Sequence, residues 1–203
     1  MLWLVLAIAL WGVVHSWMAS LGAKEAVRRR FGGSAARLYR LAYNVFSLLT
    51  FAPILLLVGL LPDRVLYVVP PPWRYAMLAG EVLAVLGIVL ALLQVDAASF
   101  VGIRQVFQGE QPSQLVTTGF YRWVRHPLYL FGLLILWLTP ALTRNMLVAF
   151  LSLTAYLIVG AVFEERKLLR EFGPAYAEYR LRTPMLIPFV KWPSKAPNGS
   201  VIN

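Results

Sequence analysis

Between Leu115 and Gly132 the chain sets a turn-prone Thr117-Thr118-Gly119, two tyrosines, two arginines and one of its two histidines, His126, against the start of a long apolar run. A second polar group, Glu164-Glu165-Arg166-Lys167, stands where another apolar run ends. Polar groups at the edge of hydrocarbon are costly unless they are paired or used, because the lipid offers them no water. The side chains present can bind and orient a charged ligand and can move protons. The chain has no cysteine, which excludes a thiolate nucleophile, thiolate metal ligation and disulfides. Its two histidines, His15 and His126, lie far apart, which argues against a metal site.

The elements that must position these residues are helices in a bilayer. Of 203 residues 60% are hydrophobic and 14% charged, and the mean hydropathy is +0.69, too little polar surface for a soluble globule. The expected fold is all-α and polytopic, with about five transmembrane helices and a C-terminal amphipathic arm. Residues 1–20 lack a basic leader and a small-residue cleavage site, so they are expected to stay as a helix. Further apolar runs cover about Leu41 to Leu61, with Pro53 inside, and Tyr75 to Val95. Pro70-Pro71-Pro72 separates them as a loop, and Trp73 and Tyr75 suit an interfacial belt. The fourth run, 127–142, covers about 24 Å at ~1.5 Å per residue, less than a ~30 Å hydrocarbon core, which predicts a tight hairpin with the fifth, Met146 to Phe163, or a start before Pro127. Gly80 and Gly87 are expected to serve close helix packing.

Placing 22–40, 96–126 and 164–203 on one side gathers 16 of the 19 Lys and Arg residues there. The positive-inside rule makes that side cytoplasmic, with the N-terminus outside and the C-terminus inside, in what is expected to be a prokaryotic inner membrane. The net charge of +10 is thereby read as membrane orientation and not as nucleic-acid binding. Beyond Glu164, the residues Leu168, Leu169, Phe172, Tyr176 and Tyr179 give an apolar face, and Gly173-Pro174 ends one helix and starts another. Such an arm can lie on the membrane or fold back over the mouth of the hairpin. Thr183 to Pro188 is expected to turn the chain away. Three parts follow: 1–95 with three transmembrane helices, 96–188 with the chemistry, and 189–203 as a flexible tail.

Arg125-His-Pro-Leu-Tyr129, preceded by Leu115-Val-Thr-Thr-Gly-Phe-Tyr121 and followed by Glu164-Glu165-x-x-Leu168-x-x-x-Phe172-Gly173-x-x-Tyr176-x-x-Tyr179, resembles the isoprenylcysteine carboxyl methyltransferase superfamily, which includes phospholipid methyltransferases. The likeness runs from about Gln105 to Pro188. His15-Ser16, the segment Arg37 to Asn44, and Phe100 to Val106 resemble the branch of NnrU-like proteins and methanethiol S-methyltransferases. The resemblance implies an integral membrane enzyme that uses S-adenosylmethionine and methylates a small or lipophilic acceptor. It implies cofactor contacts at Gln105, Ser113, Gln114, Leu115, Val116, Tyr121, His126, Pro127, Leu128, Tyr129 and Glu164, with Gln108 as the alternative to Gln105. Glu164 would meet the ligand's ammonium or ribose, His126 would donate to a carboxylate or hydroxyl, and Tyr121 and Tyr129 would wall the pocket. Gly160 stands where the isoprenylcysteine enzymes carry an arginine for their prenylated substrate, which counts against that substrate.

S-adenosylmethionine needs an aromatic or apolar slot for adenine, partners for its ribose and amino-acid ends, and a carboxylate near its cation; the residues gathered here offer these. Arg104, Arg125 and Glu165 are candidates to hold or deprotonate the substrate. S-methylation of a small thiol is the leading reading, and methylation of a lipid amine or carboxylate the second. Membrane sterol reductases share a related His-Pro-x-Tyr region with a nicotinamide cofactor, and an NnrU-like accessory or transport protein could keep the motifs without turnover. Taken alone, Arg122 and Arg125 read as orientation anchors, the Glu164 to Lys167 run as a solvated helix face, Tyr176 and Tyr179 as interfacial anchors and His15 as a packed or capped histidine.

Overall fold

The computed structural model describes residues 1–109 and 114–190. Ser113, the one expected contact outside those residues, and most of the expected tail are therefore not located. The architecture is helical: α1 (Leu2–Met18), α2 (Leu21–Leu60), α3 (Trp73–Gln94), the short α4 (Ala97–Val101) and α5 (Ile103–Gln108), α6 (Pro127–Trp137) and α7 (Arg144–Arg182). Two short strands, β1 (Val65–Val68) and β2 (Ala141–Thr143), pair antiparallel. Three helices, α2, α3 and α7, are long and apolar enough to cross a membrane, and α1 and α6 are shorter apolar helices. Leu10, Leu48, Leu55, Val82 and many other large apolar side chains are exposed on the helix surfaces. A surface of that kind is stable in lipid and not in water.

The basic stretch 22–40, expected as a connecting segment, is part of α2. Ser20 caps it by accepting from the Ala23 N–H at 3.2 Å, and Glu25 pairs with Arg28 and Arg29 one turn on. Such i,i+3 and i,i+4 pairs support a helix in water. The helix breaks at Gly32, where φ is +83° and ψ −177°. α1, α2 and α7 then share a core of Leu4, Ile8, Ile54 and Ala149.

The fourth apolar run divides into the 11-residue α6 and β2. α6 packs chiefly on α3 and less on α7, so the tight hairpin expected of the fourth and fifth runs is only partly formed. The glycines of α3 set that contact. A Cβ on Gly80 would stand 2.8 Å from Leu138, and one on Gly87 would stand 2.6 Å from the Phe131 ring. Bonds to α7 come from Tyr129 and from Trp137, whose indole N–H donates to Thr154 Oγ1 at 3.0 Å. At the end away from the motifs, Asn145 is almost fully buried, donates to the Leu61 carbonyl at 3.1 Å and so closes the end of α2.

α7 breaks at Gly173, where φ is +54° and ψ −128°, with Pro174 restarting the helix. Positive φ is free for glycine and costly for other residues, and proline is tolerated in a first helical turn. The arm folds back over the motif region, one of the two arrangements its amphipathic pattern allows. The segment after it does not turn away from the fold. Met185 and Leu186 are buried with Ala161 and Tyr129, and the carbonyls of Pro184 and Met185 accept from the N–H groups of Arg125 and His126 at 2.9 and 3.1 Å. Those donors sit at the start of α6, where the helix itself supplies no acceptor.

Candidate functional site

The Thr-Thr-Gly turn owes its glycine to a neighbour. Gly119 has φ +59°, and a Cβ there would stand 2.3 Å from Gln94 Oε1, the atom that accepts from the Phe120 N–H at 2.9 Å. Gln94 ends α3, so this bond ties the motif to a long helix. From the other side the Tyr179 hydroxyl donates to the Tyr121 carbonyl. Burial, and then the charge of Glu164, push the Tyr121 phenol up to about 12, so it stays protonated at neutral pH.

Glu164 and Glu165 are sequence neighbours with opposite fates, because successive helical residues point about 100° apart. Glu165 faces inward and its side chain is 6% exposed. It accepts from Arg125 Nε at 2.7 Å, Arg125 Nη2 at 2.9 Å and Tyr176 at 2.8 Å, with His126 Nε2 at 3.0 Å, and it forms an ion pair with Arg180 Nε at 2.9 Å that lacks hydrogen-bond geometry. Arg125 completes its own bonds on the carbonyls of Arg180 and Thr183. A bidentate guanidinium–carboxylate pair, with further donors on Oε1 and a second cation beside Oε2, satisfies two buried charges together. Arg125 and Glu165, named as candidates to touch substrate, are thus engaged with one another and with the arm.

Glu164 keeps a 42% exposed side chain, takes a hydrogen bond from the Tyr129 hydroxyl at 2.9 Å, and lies 3.5 Å from His126 Nδ1. His126 therefore bridges the two carboxylates with its two nitrogens, and its ring stacks on Tyr129 at 5.3 Å. Burial pulls the imidazole down, but Glu164 and Glu165 outweigh it and hold His126 above its ordinary value. Pro127 is buried and Leu128 half-buried beside it.

The remaining candidates gather around a cavity of about 900 Å3. Gln105, Gln114, Val116 and Arg104 line it, as does Gln108, and Leu115 lies half-buried between two of them. Arg104 is paired there with Asp96 at 2.7 Å. Gln105 donates from Nε2 to the Ser99 carbonyl at 3.0 Å, while its Oε1 is buried without a partner among the described residues. Buried acceptors are normally satisfied, so this one marks a place where a donor belongs. The two segments that carried the narrower resemblance meet here: Arg40 donates to the Ser99 carbonyl and Asn44 to the Val101 carbonyl, at 2.9 and 2.8 Å. Tyr121, His126 and Glu164 do not line the cavity. Lys167, one turn beyond Glu164 and near enough to act on its charge, does.

A third cluster was read in the sequence only as a packed histidine. His15 Nδ1 lies 2.6 Å from Ser47 Oγ, and the ring stacks on Trp11 at 5.1 Å with Tyr43 and Tyr156 edge-on. Its members are separated by up to 145 positions, and no local spacing joins them.

Fold and geometry define an integral membrane protein whose charged end carries a cofactor-sized polar cavity beside a buried network of carboxylates, arginine and histidine. The family model described as phospholipid methyltransferase matches residues 75–175. Among curated relatives, a methanethiol S-methyltransferase 2 of Bradyrhizobium diazoefficiens is 42% identical over 46% of this chain and 38% of its own length. A methanethiol S-methyltransferase of Crocosphaera subtropica is 35% identical over 58% of this chain and 51% of its own. One of Mycobacterium tuberculosis is 30% identical over 93% of this chain and 77% of its own. The chain thus spans about half or less of the first two and most of the third. The chain belongs to the phospholipid methyltransferase family, on the side of its methanethiol S-methyltransferase relatives. No solved structure matches it.

Proposed function

We propose that this protein is an S-adenosylmethionine-dependent methyltransferase of the membrane whose acceptor is a small thiol. The observation that carries the reading is Gln105 Oε1, partnerless among the described residues, on a cavity whose volume suits one small molecule, in a chain of this family. An adenine or ammonium N–H is the donor that acceptor lacks. Arg104 and Lys167 offer cations for a carboxylate, and Glu164 remains open on one side for a cationic or hydroxyl group. Gln105, Gln114, Leu115 and Val116 would hold the cofactor from the cavity side, with Ser113 beside them by resemblance. Tyr121, His126 to Tyr129 and Glu164 would hold it from the α6–α7 side.

Bound there, S-adenosylmethionine supplies an electrophilic methyl group. The chain's part is positioning and exclusion of water: Arg125 and Glu165 brace His126 and the arm, and the arm roofs the site. An acceptor anion loses its charge on the way to the transition state, so a dry site favours the step. A small acceptor is supported by the names of the relatives and by Gly160, which by resemblance stands where the isoprenylcysteine enzymes carry an arginine for a prenylated substrate. Five crossings, with the N-terminus outside and the motif end in the cytoplasm, complete the reading and fit the distribution of Lys and Arg. Calorimetry of detergent-purified protein against S-adenosylhomocysteine and NADPH tests it. Binding of the first alone is expected; binding of NADPH alone would make the protein a reductase, and binding of neither would remove both enzyme readings.

A further inference from the structure

We infer that the cluster between α1, α2 and α7 is the seat of the acceptor thiol and that His15 takes the thiol's proton. The inference rests on the methyltransferase reading and adds to it a second subsite with its own base.

Three helices converge on His15. Trp11 lies along one face of the imidazole, 13° from parallel, and Tyr43 and Tyr156 present their rings at 67° and 73°. Gly12 makes this possible, since a Cβ there would stand 2.9 Å from the Tyr156 ring. The indole of Trp11 donates to the Ser47 carbonyl at 3.0 Å, fixing the rotamer on which His15 stacks. Nδ1 is committed to Ser47, whose side chain is buried. We assign the tautomer in which Nδ1–H donates to Ser47 Oγ, which leaves the ring's lone pair on Nε2, and Nε2 has no hydrogen bond among the described residues. An ionisable side chain in an apolar bundle is expensive to keep, and full packing would have engaged both nitrogens.

The position is equally specific. Tyr43 lies near enough to Glu164 to feel its charge, and Tyr129, which donates to Glu164, lies near both Tyr43 and Tyr156. The aromatic box therefore lies within electrostatic reach of Glu164, the residue proposed to meet the cofactor. Its chemistry suits a short alkyl thiol: aromatic faces for the alkyl group and sulfur and one proton acceptor, while Arg40, near enough to act on Tyr43, is bonded to the Ser99 carbonyl. A neutral thiol is the form that crosses lipid, and only its thiolate is an effective nucleophile. On binding, the S–H bond breaks, the electron pair stays on sulfur and the proton passes to His15 Nε2. Transfer consumes the thiolate as a thioether, and the imidazolium then returns its proton to water, one for each methyl moved.

The test uses the full chain in detergent with ethanethiol as probe. Because the chain has two histidines, the imidazole resonances resolve by nuclear magnetic resonance once His126→Asn assigns them. Ethanethiol is expected to shift the His15 signals and leave those of His126 in place; no shift, or a shift of His126 alone, overturns the assignment without any turnover being needed. His15→Gln is expected to lower transfer to ethanethiol at pH 7 by about 10²-fold or more, as loss of a general base does. It should also abolish the acidic limb of the pH profile, recover towards alkaline pH as the thiol ionises unaided, and leave S-adenosylhomocysteine affinity within about twofold. An unchanged rate and profile in His15→Gln would refute the inference while leaving the methyltransferase reading intact. Cofactor binding by the wild type with transfer to no thiol would refute the thiol reading itself, and this inference with it.

Discussion

Replacing Glu165 with alanine removes the one group on which Arg125, His126, Tyr176 and Arg180 converge. Arg125 would keep its bonds to the Arg180 and Thr183 carbonyls but would lose both bonds to the carboxylate and its counter-charge, in a place where its side chain is 6% exposed. Stranding one partner of a buried ion pair costs about 3–5 kcal/mol, a large part of the roughly 5–15 kcal/mol that stabilises a typical domain. The loss is local first. Tyr176 and Arg180 lie beyond the Gly173 break, so the arm should come loose before the bundle unfolds. Denaturant titration in mild detergent, followed by tryptophan fluorescence, should show the destabilisation, and limited trypsin should cut after Arg180 and Arg182 far faster than in the wild type. The pair Arg125→Met with Glu165→Leu should lose less than the two single changes added together, because both charges leave at once. Stability of Glu165→Ala within about 1 kcal/mol of wild type, with equal resistance to trypsin, would refute the claim that this pair braces the arm.

Three further outcomes are expected. His126 is held above its ordinary value by Glu164 and Glu165 against its burial, so its contribution is complete below the free-imidazole value of about 6.5 and is lost as pH rises through the folded value; the unfolding midpoint of the wild type should fall over that range, and that of His126→Asn should fall less. Gly87→Ala forces a methyl group onto the Phe131 ring and should cost about 1–3 kcal/mol, whereas Gly132→Ala meets nothing within 4 Å and should be near neutral, both read by denaturant titration. Gln105→Leu and Glu164→Ala should each weaken S-adenosylhomocysteine binding by about tenfold or more, about 1.4 kcal/mol, while the exposed Arg122→Ala should not; equal affinities in calorimetry would show the site to be misplaced.

Much of the site could be read along the chain because its parts are local. His126 to Tyr129 are contiguous at a helix start, and Gly173-Pro174 announces a break by the backbone preferences of its two residues alone. Gly87 as a packing glycine was legible from its place inside an apolar helix. Glu164 and Glu165 were given different roles, Glu164 by resemblance, but the burial of Glu165 against Arg125 was not legible: adjacent residues on one helix differ only in the face they present, and the face is chosen by Arg125 and the returning arm. The docking of Met185 and Leu186 was missed because a Pro-flanked apolar segment reads as a departing turn until the open N–H groups of Arg125 and His126 are found opposite it. The β1–β2 pair and the cluster around His15 join residues far apart in the chain, and no periodicity within either segment records the partner. The helix through 22–31 was hidden for the opposite reason, since its apolar stripe of Ala23, Ala26, Val27 and Phe31 is narrow and lies among charged residues.

The central claim is methyl transfer to a small thiol, and the most direct measurement is transfer of a labelled methyl group from S-adenosylmethionine by the purified full chain, with ethanethiol, phospholipid and a prenylcysteine analogue offered side by side. The label should appear in the ethyl methyl thioether and depend on Glu164. Label in the lipid or the prenylcysteine product instead, or none in any product from protein that binds S-adenosylhomocysteine, would contradict it.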